Sequence, residues 1–375
     1  MRVVTAIQVG VGGVGKGHFR RLMESDRFRL VAICDAHPRQ AQVKANFDAA
    51  RARGIATFTD YRTAFAHVDA EAAFISTPHH WHAPMTIAAL RRGMHVFVEK
   101  PAASSVADVR AMLKAQQAAG KVVAVGFNPT SSADCIGLKR HIARGDLGDI
   151  REVVAVVNWY RADDYYRRSS WVGRRRVAGR WCRDGVIYNQ ASHFVAAALN
   201  LANTSPGPAM SVGTQAKAAL YRGHPVRTLE MEDLGCAVVT LDGDPGRRLC
   251  LYATTCNPAQ RSVTWVKVFG EKGQARLGAD ALELSDGRSR TIKRPADVTH
   301  KHDNFHAAIT RGATPACPLD QAVKVTETID AIYRAAGDRV KQVRRRDLDD
   351  LPEVIARAAA QRCLFGELDK PPTWA

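Results

Sequence analysis

The chain has 375 residues, of which 46% are hydrophobic and 24% are charged, and its formal net charge at pH 7 is +17. This length exceeds the usual limit of a single core, so we expect two domains, and no window approaches the roughly 18 consecutive apolar residues of a membrane span. The basic residues are spread along the chain without a long basic tail, so we expect neither nucleic acid nor a membrane as partner.

The eight cysteines are scattered, with no CxxC pair and no nearby histidine cluster. This pattern predicts free thiols in the core and no metal site. The first ten residues lack the basic and long apolar regions of a secretory signal, so we expect a cytoplasmic protein.

The first 126 residues alternate short apolar runs with helix-like segments, which is typical of a parallel sheet wound by crossover helices. The predicted strands are Thr5–Gly10, Leu30–Asp35, Ala73–Ile75, His95–Val98 and Val122–Gly126. The predicted helices are Gly13–Ser25, Pro38–Arg53, Pro84–Arg92 and Val106–Ala119. We therefore predict an α/β Rossmann domain with a doubly wound parallel sheet over residues 1–127.

After residue 127 the pattern changes to a C-terminal α+β domain, predicted over 128–345, with a large, open, mainly antiparallel sheet. Consecutive strand-like runs joined by tight turns, such as Asp242–Gly246, indicate the antiparallel order. A long aromatic loop from Tyr160 to about Gly185, here termed the lid loop, is predicted to cover the substrate. Residues 346–375 are predicted to form a C-terminal helix, over Leu351–Leu364, and a tail.

The predicted strands and helices of this second domain are the following. The helices are Ala133–Arg144, Ala191–Ala202, His302–Arg311 and Leu319–Arg334. The strands are Ile150–Trp159, Ser211–Ala219, Leu234–Leu241, Arg248–Thr255, Val263–Phe269, Ala275–Leu277 and Leu282–Leu284. Apolar side chains on both faces of this sheet predict a homodimer or homotetramer.

A glycine-rich hexapeptide follows the first predicted strand and opens the first helix. Its residues, Gly10, Val11, Gly12, Gly13, Val14 and Gly15, fit G-x-G-x-x-G. Glycines there permit a tight turn and let backbone N–H groups approach a pyrophosphate at the helix N-terminus. A glycine turn without a ligand is the alternative, but the strand and helix context favours a dinucleotide site.

Asp35 ends the second predicted strand, about twenty residues after the last glycine of the hexapeptide. A carboxylate at this position accepts hydrogen bonds from the adenosine ribose and repels a 2'-phosphate, so NAD is favoured over NADP. A turn or helix-capping role before Pro38 is the alternative, and the two roles are compatible.

Two further segments resemble the Gfo/Idh/MocA oxidoreductase family. Thr77-Pro78-His79-His80-Trp81-His82 is similar to the family's T-P-x-x-x-H strand end, and Glu99-Lys100-Pro101 is similar to its E-K-P turn. Weaker similarities extend over most of the chain, at Asn189–His193, at Glu232-Asp233 and at Val323–Arg334. The resemblance implies that Thr77, Pro78, His79, His82, Glu99, Lys100 and Asn128 contribute to the cofactor site.

The same resemblance points to catalytic residues. Lys100 follows a buried strand at the carboxyl edge of the sheet, where an ammonium group polarises a hydroxyl or stabilises an alkoxide, and Glu99 is expected to orient it. His193 is the candidate general base, with Asn189 on the same helix face. A solvated Glu-Lys-Pro turn and a core histidine are the alternatives.

Three departures from the family pattern predict an altered substrate pocket. Asn189 stands where many members carry aspartate, Asp184 lies in a segment that is usually glycine-rich, and Pro129-Thr130 replaces an arginine pair. The predicted substrate-binding residues are Lys100, Asp184, Asn189, His193 and Trp171. The lid aromatics are expected to stack on a sugar ring, and Arg174–Arg176 to meet a carboxylate or phosphate; these aromatics are Tyr160, Tyr165, Tyr166, Trp171 and Trp181.

These observations predict an NAD-dependent dehydrogenase acting on a polyol, sugar or sugar derivative. Two alternatives keep the same fold. One is a ligand-sensing regulator without turnover, which intact Lys100 and His193 disfavour. The other is a glycosidase that uses NAD for a transient oxidation without net redox change.

Overall fold

A computed structural model of the protein describes residues 1–202, 216–222, 229–256, 263–296, 300–337 and 340–342. These residues form two compact units. The first contains Met1–Phe127 and the described part of Thr299–Ala322, and the second contains the described parts of Asn128–Val298 and of the chain from Val323 onward. The predicted C-terminal segment 346–375, with its helix Leu351–Leu364, lies outside the described residues, as do residues 211–215 of one predicted strand.

The sheet of the first unit has six parallel strands in the order β3-β2-β1-β4-β5-β6. The predicted doubly wound Rossmann sheet is therefore confirmed. The strands are β1 (Val4–Val9), β2 (Phe28–Cys34), β3 (Ala56–Phe58), β4 (Ala72–Ile75), β5 (His95–Val98) and β6 (Val123–Val125). The helices between them are α1 (Gly15–Met23), α2 (Ala41–Arg51), α3 (Tyr61–His67), α4 (His79–Arg91) and α5 (Val106–Ala119). Strand β3 and helix α3 were not predicted, because they are too short to show a period.

The register of this sheet places functional positions side by side. Across the sheet, one row of paired residues consists of Cys34, Val9, Ile75, Val98 and Val125. The residues that follow this row lie together at the carboxyl edge, where open α/β sheets bind ligands; they are Asp35, Gly10, Ser76, Glu99 and Gly126.

The second unit contains a nine-stranded sheet in the order β16-β15-β14-β13-β7-β12-β11-β10-β17. Only β7 with β12 and β10 with β17 pair in parallel within this sheet, so the mainly antiparallel sheet is confirmed. Its strands are β7 (Ile150–Asn158), β10 (Ala216–Arg222), β11 (Leu234–Leu241), β12 (Asp244–Thr254), β13 (Val263–Gly270), β14 (Gly273–Arg276), β15 (Ala281–Leu284), β16 (Ser289–Thr291) and β17 (Lys341–Gln342). The helices of the remaining chain are α6 (Ala133–Ala143), α7 (Asp163–Arg167), α8 (Ser192–Leu201), α9 (Lys301–Arg311) and α10 (Leu319–Ala335).

The lid loop, predicted to lack regular structure, contains helix α7 and a small hairpin of β8 (Arg176–Val177) and β9 (Arg180–Trp181). The predicted tight turn before β12 is confirmed as a two-residue connection. Asp242 and Gly243 both have positive φ, at 52° and 72°. This Asp-Gly geometry matches the right-handed twist of the strands that it joins.

Helix α9 belongs to the core of the first unit, although the prediction assigned its residues to the second domain. Phe305 is fully buried, and its ring lies 6.1 Å from Phe28, 5.6 Å from Phe74 and 5.8 Å from Phe97, measured between centroids. Burying one phenylalanine contributes roughly 1.5–3 kcal/mol, so this contact holds the distant segment firmly.

The second unit buries a cross-strand row of apolar side chains on one face of its sheet. Cys236 pairs with Tyr252, Tyr252 with Val156, and Val156 with Trp265. These residues belong to one hydrophobic cluster, and directly opposed side chains of this kind are the unit of sheet stabilisation. Helix α8 packs against β7 and β13 of the same sheet.

Seven cysteines are free and buried, as predicted, and Cys363 lies outside the described residues. Within the ranges given above, no group of three or more His, Cys, Asp or Glu side chains is arranged to hold a metal ion. Among the same residues, no helix combines the length and apolar character needed to cross a membrane.

Candidate active site

The glycine hexapeptide forms a tight turn between β1 and α1. The N–H of Gly10 donates to the carbonyl of Cys34 at 2.8 Å, and the N–H of Gly15 donates to Gly12 at 2.8 Å. A Cβ atom at Gly15 would lie 2.2 Å from the carbonyl oxygen of Gly10. Since real Cβ contacts are never that short, the turn requires glycine at this position.

Buried polar side chains hold this turn from behind. The amide of Gln8 donates to the carbonyls of Gly10 at 2.9 Å and Gly15 at 2.7 Å, and its side chain is fully buried. The hydroxyl of Ser76 donates to Gly10 at 2.8 Å, and the amide of Asn46 donates to the carbonyl of Val11 at 2.7 Å. The turn is thus fixed before any ligand arrives.

The turn exposes donors that suit an anion. No acceptor in the described chain receives a hydrogen bond from the backbone N–H groups of Gly12, Gly13 or Val14. The Val14 side chain is 66% exposed, which is unusual for a large hydrophobic residue. Unpaired amides at a helix N-terminus fit a pyrophosphate, so the residues present fit a dinucleotide.

Asp35 lies at the carboxyl edge beside this turn. Its Oδ2 accepts from the N–H of Val11 at 3.0 Å and its Oδ1 from the N–H of His37 at 2.9 Å. A carboxylate has about four acceptor positions, so both oxygens can still accept from ribose hydroxyls. The predicted turn role is therefore present, and the predicted ribose role remains compatible with it.

The segment after β4 supports the site in two ways. Thr77 and Pro78 precede helix α4, and a Cβ at Gly10 would lie 3.1 Å from the nitrogen of Thr77, so this segment touches the glycine turn. His79 is buried in the first turn of α4. The ring of His82 is fully buried, with its nitrogens 2.7 Å from the carbonyl oxygens of Thr77 and Pro101. His82 therefore helps to hold this segment, and its predicted contact with the cofactor stays a prediction.

Glu99 is paired with a lysine that the sequence prediction missed. Its Oε1 lies 2.9 Å from Nζ of Lys301 on α9 and 2.8 Å from Nε2 of His18 on α1. Burial alone would raise the pKa of Glu99, but the His18 hydrogen bond and the Lys301 charge hold it well below its ordinary value. The Oε2 atom accepts from the backbone N–H of Lys100 at 3.2 Å. Glu99 therefore positions the backbone of Lys100.

Lys100 itself is half-buried and directly follows Glu99 in the row at the carboxyl edge. The strand order brings Gly10, Thr77 and Lys100 onto neighbouring strand ends. Asn128 is exposed and begins a 3-10 helix over Asn128–Ser131 in the second unit. Its contact with the cofactor stays a prediction.

In the second unit, Asn189 lies in a π-helical turn, Val186–Ala191, that runs directly into α8. Its side-chain amide donates to Oδ1 of Asp184 at 2.6 Å, while Oδ2 of Asp184 accepts from the N–H of Gly173 at 2.7 Å. His193 follows in the first turn of α8, half-buried. Asp184 thus orients Asn189, and its predicted contact with the substrate stays a prediction. π-Helical turns occur frequently at functional sites.

A buried carboxyl group stabilises the start of this π-turn. Glu232 is 1% exposed, and its Oε1 accepts from the N–H of Ile187 at 3.0 Å and from the hydroxyl of Tyr333 at 2.7 Å. Its backbone carbonyl accepts from Val186 at 3.0 Å. Burial raises the pKa of Glu232 from its ordinary 4.5 to about 7, against the effect of the Tyr333 hydrogen bond.

We expect this group to make the stability of the protein depend on pH. Between about pH 4.5 and 7 an unfolded chain ionises Glu232 while the folded one keeps the proton, so the free energy of unfolding falls as pH rises. This decrease in the free energy of unfolding is complete above pH 7 and is on the order of 3 kcal/mol. Glu232→Gln removes this loss, so its melting temperature relative to wild type is expected to be higher at pH 8 than at pH 5. Equal differences at the two pH values in thermal unfolding would contradict the expectation.

The lid aromatics lie in and around a small cluster. Tyr166 is buried with Val172 and Leu229, and Trp171 packs against them. This places Trp171 beside the lid core, and its predicted substrate contact stays a prediction. Among the predicted anion-binding arginines, Arg174 is paired with Glu230 at 2.6 Å. The side chain of Arg176 lies over the ring of Trp181 at 3.7 Å.

Three residues of the site escaped sequence analysis, for one reason. Gln8 and His18 are polar residues in segments that pack into a core, and Lys301 lies 202 positions from Glu99. A buried polar group needs a partner, so a glutamine inside an apolar strand is itself a signal. The local sequence pattern does not predict which partner such a residue will bond.

Family models match most of the chain. A model described as "Oxidoreductase family, NAD-binding Rossmann fold" matches residues 5–127. Its companion, "Oxidoreductase family, C-terminal alpha/beta domain", matches residues 139–343. Both belong to the set that carries the Gfo/Idh/MocA name.

Individual proteins are similar over differing spans. A 1-carboxy-3-chloro-3,4-dihydroxycyclohexa-1,5-diene dehydrogenase of Comamonas testosteroni is 28% identical over 341 residues, which cover 85% of this chain and 81% of that protein. An inositol 2-dehydrogenase of Salmonella typhimurium is 32% identical over 142 residues, covering 37% of this chain and 41% of the relative. The crystal structure of the WlbA dehydrogenase from Bordetella pertussis, in complex with NADH and UDP-GlcNAcA, superposes with a TM-score of 0.72 at 26% identity, covering 90% of this chain and 97% of that one.

Proposed function

Because the chain belongs to the Gfo/Idh/MocA oxidoreductase family and carries its NAD-binding Rossmann domain, we propose that it moves a hydride between NAD and a hydroxyl carbon of a polyol, sugar or sugar derivative. The observation that carries the proposal is the preformed glycine turn, whose three amides lack acceptors within the described residues, next to Lys100 on a neighbouring strand end. Three proteins that are similar to this chain are named dehydrogenases. One of them is named for inositol, and the crystal structure of another contains NADH and UDP-GlcNAcA.

In this proposal the cofactor is held by residues of the first unit. The amides of Gly12, Gly13 and Val14 receive the pyrophosphate, and the carboxylate of Asp35 accepts from the adenosine ribose hydroxyls. When bound, the nicotinamide accepts or returns the hydride. Thr77 and Pro78 belong to the segment that touches the glycine turn, and we propose that they contact the cofactor as well.

The acid-base work is assigned to Lys100 and His193. The Lys100 ammonium stabilises the substrate oxygen as its proton leaves, and its backbone is positioned by the buried Glu99. His193 accepts that proton, and Asn189 orients the substrate or the imidazole through an amide that Asp184 holds at 2.6 Å. The amide of Asn189 cannot take a proton, so we assign the role of general base to His193.

The experiment that tests the function is a panel of polyols and sugars incubated with NAD and, separately, with NADP. Formation of reduced cofactor, followed by its absorbance, is the expected result for at least one member. Turnover without released NADH would favour the transient-oxidation glycosidase instead. Ligand binding without any turnover would favour the sensing regulator.

The same panel checks the cofactor preference. We expect NAD to give the higher kcat/KM, because the Asp35 carboxylate repels a 2'-phosphate. Asp35→Ser removes that charge and is expected to narrow the difference, mainly by improving KM for NADP. Asp60→Ser is a matched control, since Asp60 caps helix α3 through the N–H of Thr63. Equal efficiencies of the wild type with NAD and NADP would refute the preference.

We further propose that the protein is cytoplasmic and assembles as a homodimer or homotetramer through the domain of residues 128–345. Seven free, buried cysteines suit a reducing compartment. The apolar cluster on β11 and β12 is already buried within the single chain, so the assembly rests on the sequence pattern.

A further inference from the structure

Two arginines of the lid loop lie against one tyrosine. The guanidinium carbon of Arg168 is 3.9 Å from the ring centroid of Tyr165, and that of Arg161 is 5.0 Å from it. Arg161 is half-buried and Arg168, directly after α7, is exposed. All three residues therefore form one compact group, which we term the arginine-tyrosine cluster.

The cluster adjoins the π-turn that carries the proposed catalytic residues. The hydroxyl oxygen of Tyr165 accepts from the side-chain amide of Gln190 at 2.9 Å and from that of Asn189 at 3.4 Å. The Arg161 side chain also hydrogen-bonds this hydroxyl, whose own O–H remains a donor. Burial, and then the charge of Asp184, raise the pKa of Tyr165, which keeps the phenol protonated at neutral pH.

The two arginines differ in charge balance from three other arginines of the lid loop. In the same loop, Arg167 is paired with Asp163 at 3.5 Å, Arg174 with Glu230 at 2.6 Å and Arg183 with Asp330 at 2.8 Å. Neither Arg161 nor Arg168 has a carboxylate within ion-pair distance in the described parts of the chain.

One donor of this cluster is buried without an acceptor. The Nε atom of Arg161 is shielded from solvent and meets no hydrogen-bond partner among the residues described. Leaving a buried charged donor unsatisfied is costly, and such a cost is commonly met by a ligand at a functional site. The carboxylate of Asp184, whose charge acts on Tyr165, accepts from Gly173 and Asn189.

We propose that Arg161, Arg168 and the Tyr165 hydroxyl bind the carboxylate or phosphate of the substrate, which is therefore an acidic sugar or polyol derivative. Every polar group that the cluster offers is a donor, and a guanidinium matches the paired oxygens of either anion. The site lies beside Asn189, so an anionic group bound there is adjacent to the proposed catalytic turn. This inference names the substrate class of the proposed dehydrogenase and rests on that function.

The test is calorimetric titration of the NAD-saturated protein with uronic acids and sugar phosphates, each paired with its neutral parent sugar. We expect the best acidic compound to bind at least about tenfold more tightly than its parent. Arg161→Gln and Arg168→Gln are each expected to lower the affinity for the acidic compound by about 10- to 100-fold, which is the contribution of one charged hydrogen bond. The affinity for the neutral parent sugar should not change. Arg161→Lys keeps the positive charge but cannot form the paired hydrogen bonds of a guanidinium, so we expect a smaller loss of affinity for the acidic compound.

Arg167→Gln is the matched control, because Arg167 directly precedes Arg168 in the chain and is paired with Asp163. It should bind as wild type does. Acidic and neutral compounds of equal affinity, or no binding by any acid, would overturn the proposal, as would folded Arg161 and Arg168 variants that bind normally. Anion binding by the wild type without NADH production in any assay would refute the dehydrogenase function and leave this site standing.

Discussion

Replacing Lys100 with alanine is expected to lower kcat by at least about 10²-fold while the affinity for NAD changes little. Hydride cannot leave a carbinol carbon unless the oxygen sheds its proton, and the ammonium group stabilises that oxygen. The 3.2 Å hydrogen bond between Lys100 and Glu99 uses the backbone N–H of Lys100, so the alanine variant keeps that bond. His193→Ala is expected to cause a similar loss, and Asn189→Ala a smaller one, because an amide only orients.

Steady-state kinetics on the best panel substrate, with calorimetric titration of NAD, measures these effects. Lys44→Ala is a suitable control, since Lys44 is an exposed residue paired with Asp48 on α2. A Lys100→Ala variant that turns over like the control would remove Lys100 from the mechanism. So would a complex structure with Lys100 and His193 each beyond about 8 Å from the reacting nicotinamide carbon, because no single oxygen could then reach both.

Gly15→Ala is expected to weaken NAD binding by at least about tenfold and to lower the melting temperature. The added Cβ would lie 2.2 Å from the Gly10 carbonyl oxygen and 2.9 Å from the Ser76 hydroxyl, so the turn must open. Overpacking of this kind costs roughly 1–3 kcal/mol, and the opening displaces the amides that face the pyrophosphate.

Gly17→Ala provides the contrast within the same helix. A Cβ at Gly17 has nothing within 4 Å, and alanine favours a helix over glycine by about 1 kcal/mol. This variant should therefore bind NAD normally and melt at the same or a higher temperature. If titration gave Gly15→Ala and Gly17→Ala the same NAD affinity, the fit of the turn to the cofactor would be wrong.

The fold was predictable where local patterns are strong. Alternating apolar runs and helical segments indicated the parallel sheet, and the Asp242-Gly243 turn indicated its antiparallel counterpart. Strand β3 and helix α3 were missed because three and seven residues carry too little periodicity. The π-turn before α8 has no sequence signature of its own, since it depends on Glu232, which lies 45 residues beyond Ile187.

The candidate site divides in the same way. The glycine turn and Asp35 are contiguous motifs with a mechanical reason for each residue, so the sequence was sufficient to find them. The two oxygens of Asp184 accept hydrogen bonds from Asn189 and Gly173, and no local pattern could have predicted the second partner. The anion prediction fell on Arg174–Arg176 because they are adjacent in sequence, whereas the proposed anion site uses Arg161 and Arg168, which both lie against Tyr165 in space.

The ion pair between Glu99 and Lys301 also bears on how the protein folds during its synthesis. A ribosome releases the six strands of the first unit long before it reaches α9, so Phe28, Phe74 and Phe97 must wait for Phe305 with an open apolar surface. During that interval Glu99 has no lysine to neutralise it. The core of the first unit is therefore completed only after residues 128–298 of the second unit have been synthesised.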